Sequence, residues 1–110
     1  MLVPNAELAV VEIEKLRDYS LNPEHEVGRH KAIVFASSLG FTQRDALRLR
    51  ALLHDAIKIK DFRPGKPNKY GEVFIVDFEA ASREKTALIR SIWMIDTGEN
   101  NPRLVSCYVI

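Results

Sequence analysis

The sequence predicts an α+β protein: about three N-terminal helices packed on one face of a three- to four-stranded antiparallel meander sheet. Three observations predict it. Apolar residues recur at helical spacing in the first half, as at Ala32, Phe35, Ala36 and Leu39. After a stretch holding Pro64-Gly65, Pro67 and Gly71, the pattern changes to alternating or continuous apolar runs. Those runs are joined by short connections, which implies antiparallel neighbours.

Each element has its own local reason. Residues 2–7 read as an irregular lead-in, and the β-branched Val10 and Val11 predict a short edge strand. A first helix is expected over Ile13–Leu21, with Ile13, Leu16 and Tyr19 or Ser20 on one stripe. Asn22-Pro23 ends it, because the residue before proline avoids the helical region. A second helix spans about Gly28 to Leu39 and stops at Gly40, which turns left-handed without a Cβ clash. Thr42-Gln43-Arg44-Asp45 is a shortened capping box that starts a third helix, running to about Ile57 and burying Leu49, Leu52, Leu53 and Ala56. Residues 58–71 form a loop, expected to be the most mobile part. Val73–Ala80, Thr86–Ile95 and Leu104–Ile110 are the strands, with turns at Ser82-Arg83-Glu84-Lys85 and Gly98-Glu99-Asn100-Asn101-Pro102.

A chain of 110 residues can bury one core, so a single domain over residues 1–110 is expected. Its 46% hydrophobic and 28% charged residues are ordinary for a globular protein, and there is no repeat or low-complexity tract. Cys107 is the sole cysteine, so no intramolecular disulfide can form, in agreement with a reducing compartment. Met1 to Glu7 carry neither a basic segment nor a long apolar run, and no stretch is apolar enough to span a membrane. A cytoplasmic location is therefore expected. The net charge of +1 conceals an asymmetry: −4 over residues 1–27, +7 over 28–69 and −2 over 70–110. A basic middle segment can attract a polyanion, although solvated helix faces have the same composition.

Three constellations could carry chemistry. Gly28-Arg29-His30-Lys31 places basic side chains in the first turn of a helix, where the positive helix end disfavours cations. The N–H groups of such a turn can bind an anion, and His30 is the candidate general base beside them. The second constellation lies on the strands, where Asp77, Arg90, Ser91, Ser106 and Tyr108 interrupt apolar runs. With side chains repeating every two residues, Ser106 and Tyr108 share a face with Leu104, and Arg90 with Leu88 and Ile92. A face bearing Arg, Ser and Tyr could hold a phosphodiester; it could equally be the wet face of a sheet. The third is His54-Asp55, which resembles the metal-binding pair of the HD-domain phosphohydrolases if His25 or His30 supplies the earlier histidine. Phe35, Phe74, Phe78, Trp93 and Cys107 read as core.

Taken whole, the chain resembles a family of small bacterial proteins classed as a domain of unknown function. The resemblance rests on Val3-Pro4-Asn5-Ala6-Glu7, Leu21-Asn22-Pro23-Glu24-His25 and Gly28-Arg29-His30-Lys31-Ala32, then Phe35 and Leu39-Gly40. It continues through Tyr70-Gly71, Val76-Asp77-Phe78, Arg90, Trp93 and Pro102-Arg103-Leu104-Val105-Ser106-Cys107-Tyr108. Similar segments resemble the C-terminal domains of bacterial polymorphic toxins, among them the metal-independent ribonucleases of the barnase, EndoU, colicin and RelE-like group. That resemblance implies His30 or Lys31 as base or charge stabiliser, Arg90 as phosphate ligand, and Ser106 or Tyr108 as orienting groups. Arg29, Tyr70, Asp77 and Arg103 would contact substrate, and no cofactor or metal would be needed.

Three readings stay open from the sequence. One is a ribonuclease-like toxin acting on RNA, with a neutralising partner protein. The second is a non-catalytic module that binds a partner or forms a homodimer through its apolar C-terminal strand, Tyr108-Val109-Ile110. The third is the HD-like metal phosphohydrolase.

Overall fold

A computed structural model describes all 110 residues. The first helical segment begins as α1, Ile13–Lys15, and continues as a π-helical turn over Leu16–Ser20. In that wider turn the Leu21 N–H donates to the Leu16 carbonyl at 2.9 Å, and the Ser20 hydroxyl to the Lys15 carbonyl at 3.2 Å. Leu16 and Ser20 are buried, and Tyr19 stands half-buried beside them.

Helix α2, Arg29–Leu39, starts one residue later than expected and ends at Gly40. Gly40 has φ 71°, and the N–H groups of Gly40 and Phe41 close the helix end on the carbonyls of Ala36 and Phe35. The capping box then forms: the Thr42 N–H donates to the Asp45 carboxylate at 2.8 Å. A 3₁₀ turn, Gln43–Asp45, leads into α3, Ala46–Ile59.

Four strands follow in a meander: β1 Arg63–Pro64, β2 Gly71–Ser82, β3 Lys85–Asp96 and β4 Arg103–Val109, in that order and all antiparallel. The breaker-rich stretch expected to be only loop thus contributes the short edge strand β1, where a proline costs no ladder bond. The β2–β3 connection is a two-residue turn with Arg83 at φ 49° and Glu84 at φ 68°, the primed geometry that suits twisted hairpins. The edge strand expected at Val10 and Val11 is reduced to one parallel bridge between Val10 and Arg103, in which Leu104 N–H donates to the Val10 carbonyl at 3.0 Å.

Strand β4 corrects the reading of its faces. Trp93 pairs with Leu104, but the preceding residue Ile92 pairs with Ser106. Val105 is therefore an extra residue in a β-bulge, and the alternation slips by one across it. Leu104 and Cys107 are buried, while Ser106 and Tyr108 lie on the opposite face beside Ile92 and Arg90. Simple period-two counting put Leu104 and Ser106 together; the bulge separates them.

Burial along the sheet shows where the core sits. In β2 Phe74, Val76, Phe78 and Ala80 are buried, and in β3 Ile89, Ser91 and Trp93. The apolar members join Leu16, Leu21, Phe35, Leu39, Leu49, Leu53 and Ile57 in one cluster, together with Cys107. Within it the Trp93 Nε1–H donates to the Ser91 hydroxyl at 2.9 Å, and that hydroxyl donates to the Val76 carbonyl at 2.7 Å. No helix is long and apolar enough to cross a membrane.

Candidate functional site

The bulge and the π-helical turn bring polar groups from opposite ends of the chain together. Lys31, in the first turn of α2, extends its ammonium to the Ser106 hydroxyl at 3.1 Å. The same nitrogen lies 5.1 Å from the centroid of the Tyr108 ring and 5.8 Å from that of Tyr19. Ring faces carry negative charge density, so the ammonium is favoured where it sits. None of the ion pairs in the structure includes Lys31. A cation held by π-faces and a hydroxyl keeps its full charge for a ligand.

From Tyr108 the polar groups continue across the sheet, because register places Tyr108 opposite Arg90 and Arg90 opposite Asp77. Arg90 grips Asp77 with two bonds, Nε to Oδ1 at 2.9 Å and Nη2 to Oδ2 at 3.0 Å. Arg63 of β1 adds a third, Nη1 to Oδ2 at 3.1 Å. These two guanidiniums, Arg90 before Arg63, hold the Asp77 carboxyl below its ordinary range. Asp77 first and the Tyr108 hydroxyl second raise the affinity of Arg90 for its proton, so it stays charged at any working pH. The row thus sets Lys31, Arg90 and Arg63 against one carboxylate.

The start of α2 differs from the open anion nest that its sequence suggested. His25 Nδ1 accepts the N–H groups of Val27 and Gly28, both at 3.0 Å, and the His25 carbonyl accepts that of Arg29. The free donors of that turn are therefore partly taken. A neutral His25 ring carries its proton on Nε2, since Nδ1 is the acceptor. The ring packs edge-on against Tyr19, with centroids 4.7 Å apart. Gly28 is required at this approach, because a Cβ there would fall 2.5 Å from the Tyr19 carbonyl oxygen.

Lys31, Arg90, Ser106, Tyr108 and Asp77 are thus brought together. Arg29 and His30 are exposed on the neighbouring part of α2 and make no side-chain bond to this row. Tyr70, 63% exposed, sits in the loop before β2 beside Lys69. Arg103 is bonded through Nε and Nη2 to Asp96, which raises the Arg103 pKa and lowers that of Asp96. Arg103 pairs with Met94, four residues along β3 from Arg90, or about 13 Å at strand spacing. Tyr70 and Arg103 therefore belong to the other end of the sheet.

Sequence reasoning missed Tyr19, read as helix stripe, and weighed His25 only as a metal ligand. His54 is half-buried; burial first, then Lys58 and Arg50, push its pKa down. No three His, Cys, Asp or Glu side chains lie together as a metal-holding group, so neither His25 nor His30 joins His54-Asp55 in the HD-like arrangement.

Beside the Lys31 end of the row is a cleft of about 600 Å³, bounded by Glu12, Glu14, Lys15, Asp18, Tyr19, Lys31, Val105 and Ser106. Asp18 is bridged by Arg17 at 2.9 Å, whereas no cation lies within ion-pair distance of Glu12 or Glu14.

No curated protein and no solved structure matches the chain. One family model, described as a domain of unknown function (DUF6883), matches residues 2–110. Because that match takes in all but the first residue, the chain belongs to the DUF6883 family.

Proposed function

We propose that the protein is a small metal-independent endoribonuclease whose site is the row Lys31–Tyr108–Arg90. The observation that carries this reading is Lys31, a cation without a carboxylate partner, held at 3.1 Å from Ser106 and 5.1 Å from the Tyr108 ring, beside a permanently charged arginine. Two fixed cations flanking a phenol and a hydroxyl suit a phosphodiester, which carries one negative charge and has acceptor oxygens on every side. The reading takes the helices to cover one face of the sheet and leave this row on the other. The bulge at Val105 supports it, since bulges recur beside active sites, where they re-aim side chains.

The chemistry follows from these positions. RNA supplies its own nucleophile, the 2′-hydroxyl, whose oxygen bonds to phosphorus as the 5′-oxygen leaves. Lys31 and Arg90 face the non-bridging oxygens and stabilise the charge that grows on them. Asp77 fixes the plane of the Arg90 guanidinium, and Ser106 fixes the Lys31 ammonium. The Tyr108 phenol gives the leaving oxygen its proton, and solvent water takes the proton of the 2′-hydroxyl, because His30 is exposed on α2 outside the row. A ribonuclease of this kind in a toxin–antitoxin setting would be silenced by a partner protein lying across the row.

The test is cleavage of total RNA in EDTA by the parent and by folded Lys31→Ala and Arg90→Ala variants. Cleavage by the parent, reduced at least about a hundredfold in each variant, supports the reading; losses of that size are usual for single charge-stabilising groups. Parent protein in large excess that leaves RNA intact overturns it.

A further inference from the structure

We infer that the outward face of α2 docks a second copy of this chain, the two helices lying antiparallel about a twofold axis. The inference stands apart from the ribonuclease reading. Lys31 precedes Ile33 by two residues and so points about 160° away from it on a helix, which leaves the row free.

Helix α2 is apolar on both sides. Its inner side buries Ala32, Phe35 and Leu39 in the core. Its outer side presents Ile33, 53% exposed, and Val34, 39% exposed, with Ala36 and Ser37. No charged residue occurs between Lys31 and Arg44. Helix α3 is the ordinary case: it turns Arg48, Asp55 and Lys58 to solvent. A helix with charge opposite the core is a solvated one, whereas a helix apolar all round has its second face covered as well.

Shape points to a second copy as the cover. Beside Ile33 is a hollow of about 440 Å³, with the buried Leu21 and Phe41 and the small Ala32 and Ala36 among its walls. One patch therefore carries both a projecting aliphatic side chain and a recess left by alanines. A twofold contact requires that, since each copy must offer the knob and the hole together. Ile33 of each copy then enters the hollow of the other.

Charge sets the antiparallel sense. The first turn of α2 holds no acid and its last turn no base, so neither end of the helix dipole is offset by its own turn. Antiparallel pairing lays the start of each helix beside the end of the other, and Arg29 then lies near the second copy's carbonyl end. Glu24 and Glu26, exposed just before α2, come beside Lys85, whose ammonium donates to the Ser37 carbonyl at 3.2 Å at the far end. None of Glu24, Glu26 and Lys85 belongs to an ion pair within the chain. A parallel pairing would set Arg29 against Arg29 and Lys85 against Lys85. An 11-residue helix is about 16 Å long, and a contact of that length falls short of the roughly 800 Å² per partner of a standard interface. The dissociation constant is therefore expected on the order of tens of micromolar.

Sedimentation equilibrium of the full chain from about 1 μM to about 1 mM tests this. The parent is expected to pass from monomer to dimer in that range. A folded Ile33→Glu variant should weaken the dimer at least about tenfold, by burying a charge in the hollow. Leu47→Glu, at a 64% exposed apolar position of α3, should leave it unchanged. Lys85→Glu should weaken it about fivefold, and adding Glu24→Lys/Glu26→Lys should restore it. A parent that stays monomeric at about 1 mM overturns the docking. So does a dimer that survives Ile33→Glu, which would put the interface elsewhere, or one that Leu47→Glu weakens equally. Failure of the charge exchange to restore the dimer overturns the antiparallel arrangement.

Discussion

The Ser91 hydroxyl answers two buried polar atoms at once, so Ser91→Ala has a calculable cost. Ser91 is fully buried, and its hydroxyl donates to the Val76 carbonyl at 2.7 Å while accepting the Trp93 Nε1–H at 2.9 Å. Removing it forfeits about 1 kcal/mol for the first bond and leaves an indole N–H unpaired in a dry core, at about 2 kcal/mol. The sum is about 3 kcal/mol. At about 2.1 cal/mol/K per residue the unfolding entropy of this chain is about 0.23 kcal/mol/K, so the midpoint should fall by about 13 °C. Thermal and urea melts followed by far-UV circular dichroism measure this in the parent and in a Trp93→Phe background. Phenylalanine carries no N–H, so there Ser91→Ala should cost only about 1 kcal/mol, a coupling of about 2 kcal/mol. Equal costs in the two backgrounds would show that the serine–indole bond is not what holds this part of the core.

Other perturbations have equally definite outcomes. Arg83→Asn/Glu84→Gly puts residues suited to positive φ into the β2–β3 turn, and a urea melt should show a gain of about 1 kcal/mol. Arg90 and Arg63 lower the Asp77 pKa in the folded state, so its contribution is present above about pH 4, the unfolded value, and is lost as pH falls through the folded one. Asp77→Asn should therefore lower stability at neutral pH and flatten the acid limb of a stability–pH curve. Burial pushes the Cys107 thiol up to about 12, so a thiol reagent at neutral pH should label it only at the rate of chain opening and label it promptly in denaturant.

How much of this could be read from the sequence depends on the range of the interactions involved. The stop at Gly40 and the box at Thr42–Asp45 are decided by residues within one turn, and both were legible. The β2–β3 pair was legible for the same reason, since its two strands are bridged by two residues. Strand β1 was hidden because its two residues are paired by β2 rather than by any propensity of Arg63-Pro64. Asp77 and Arg90 were each visible as polar interruptions, but only the register shows that they face one another. Lys31 and Ser106, separated by 75 positions, meet through tertiary packing that no local pattern records. Tyr19 escaped because a π-helical turn looks like an α-helix in sequence while aiming its side chains differently.

The bulge in β4 has a consequence for how the chain tolerates a change in length. Val105 is a surplus residue between two positions whose partners on β3 are consecutive. Its deletion would let the strand close into regular pairing with Leu104 and Cys107 still inward and Ser106 and Tyr108 still outward. Loss of one residue farther along the strand, such as Tyr108, would instead put every later side chain out of phase. This β4 thus carries one residue of slack, and that slack lies directly beside the hydroxyl that holds Lys31.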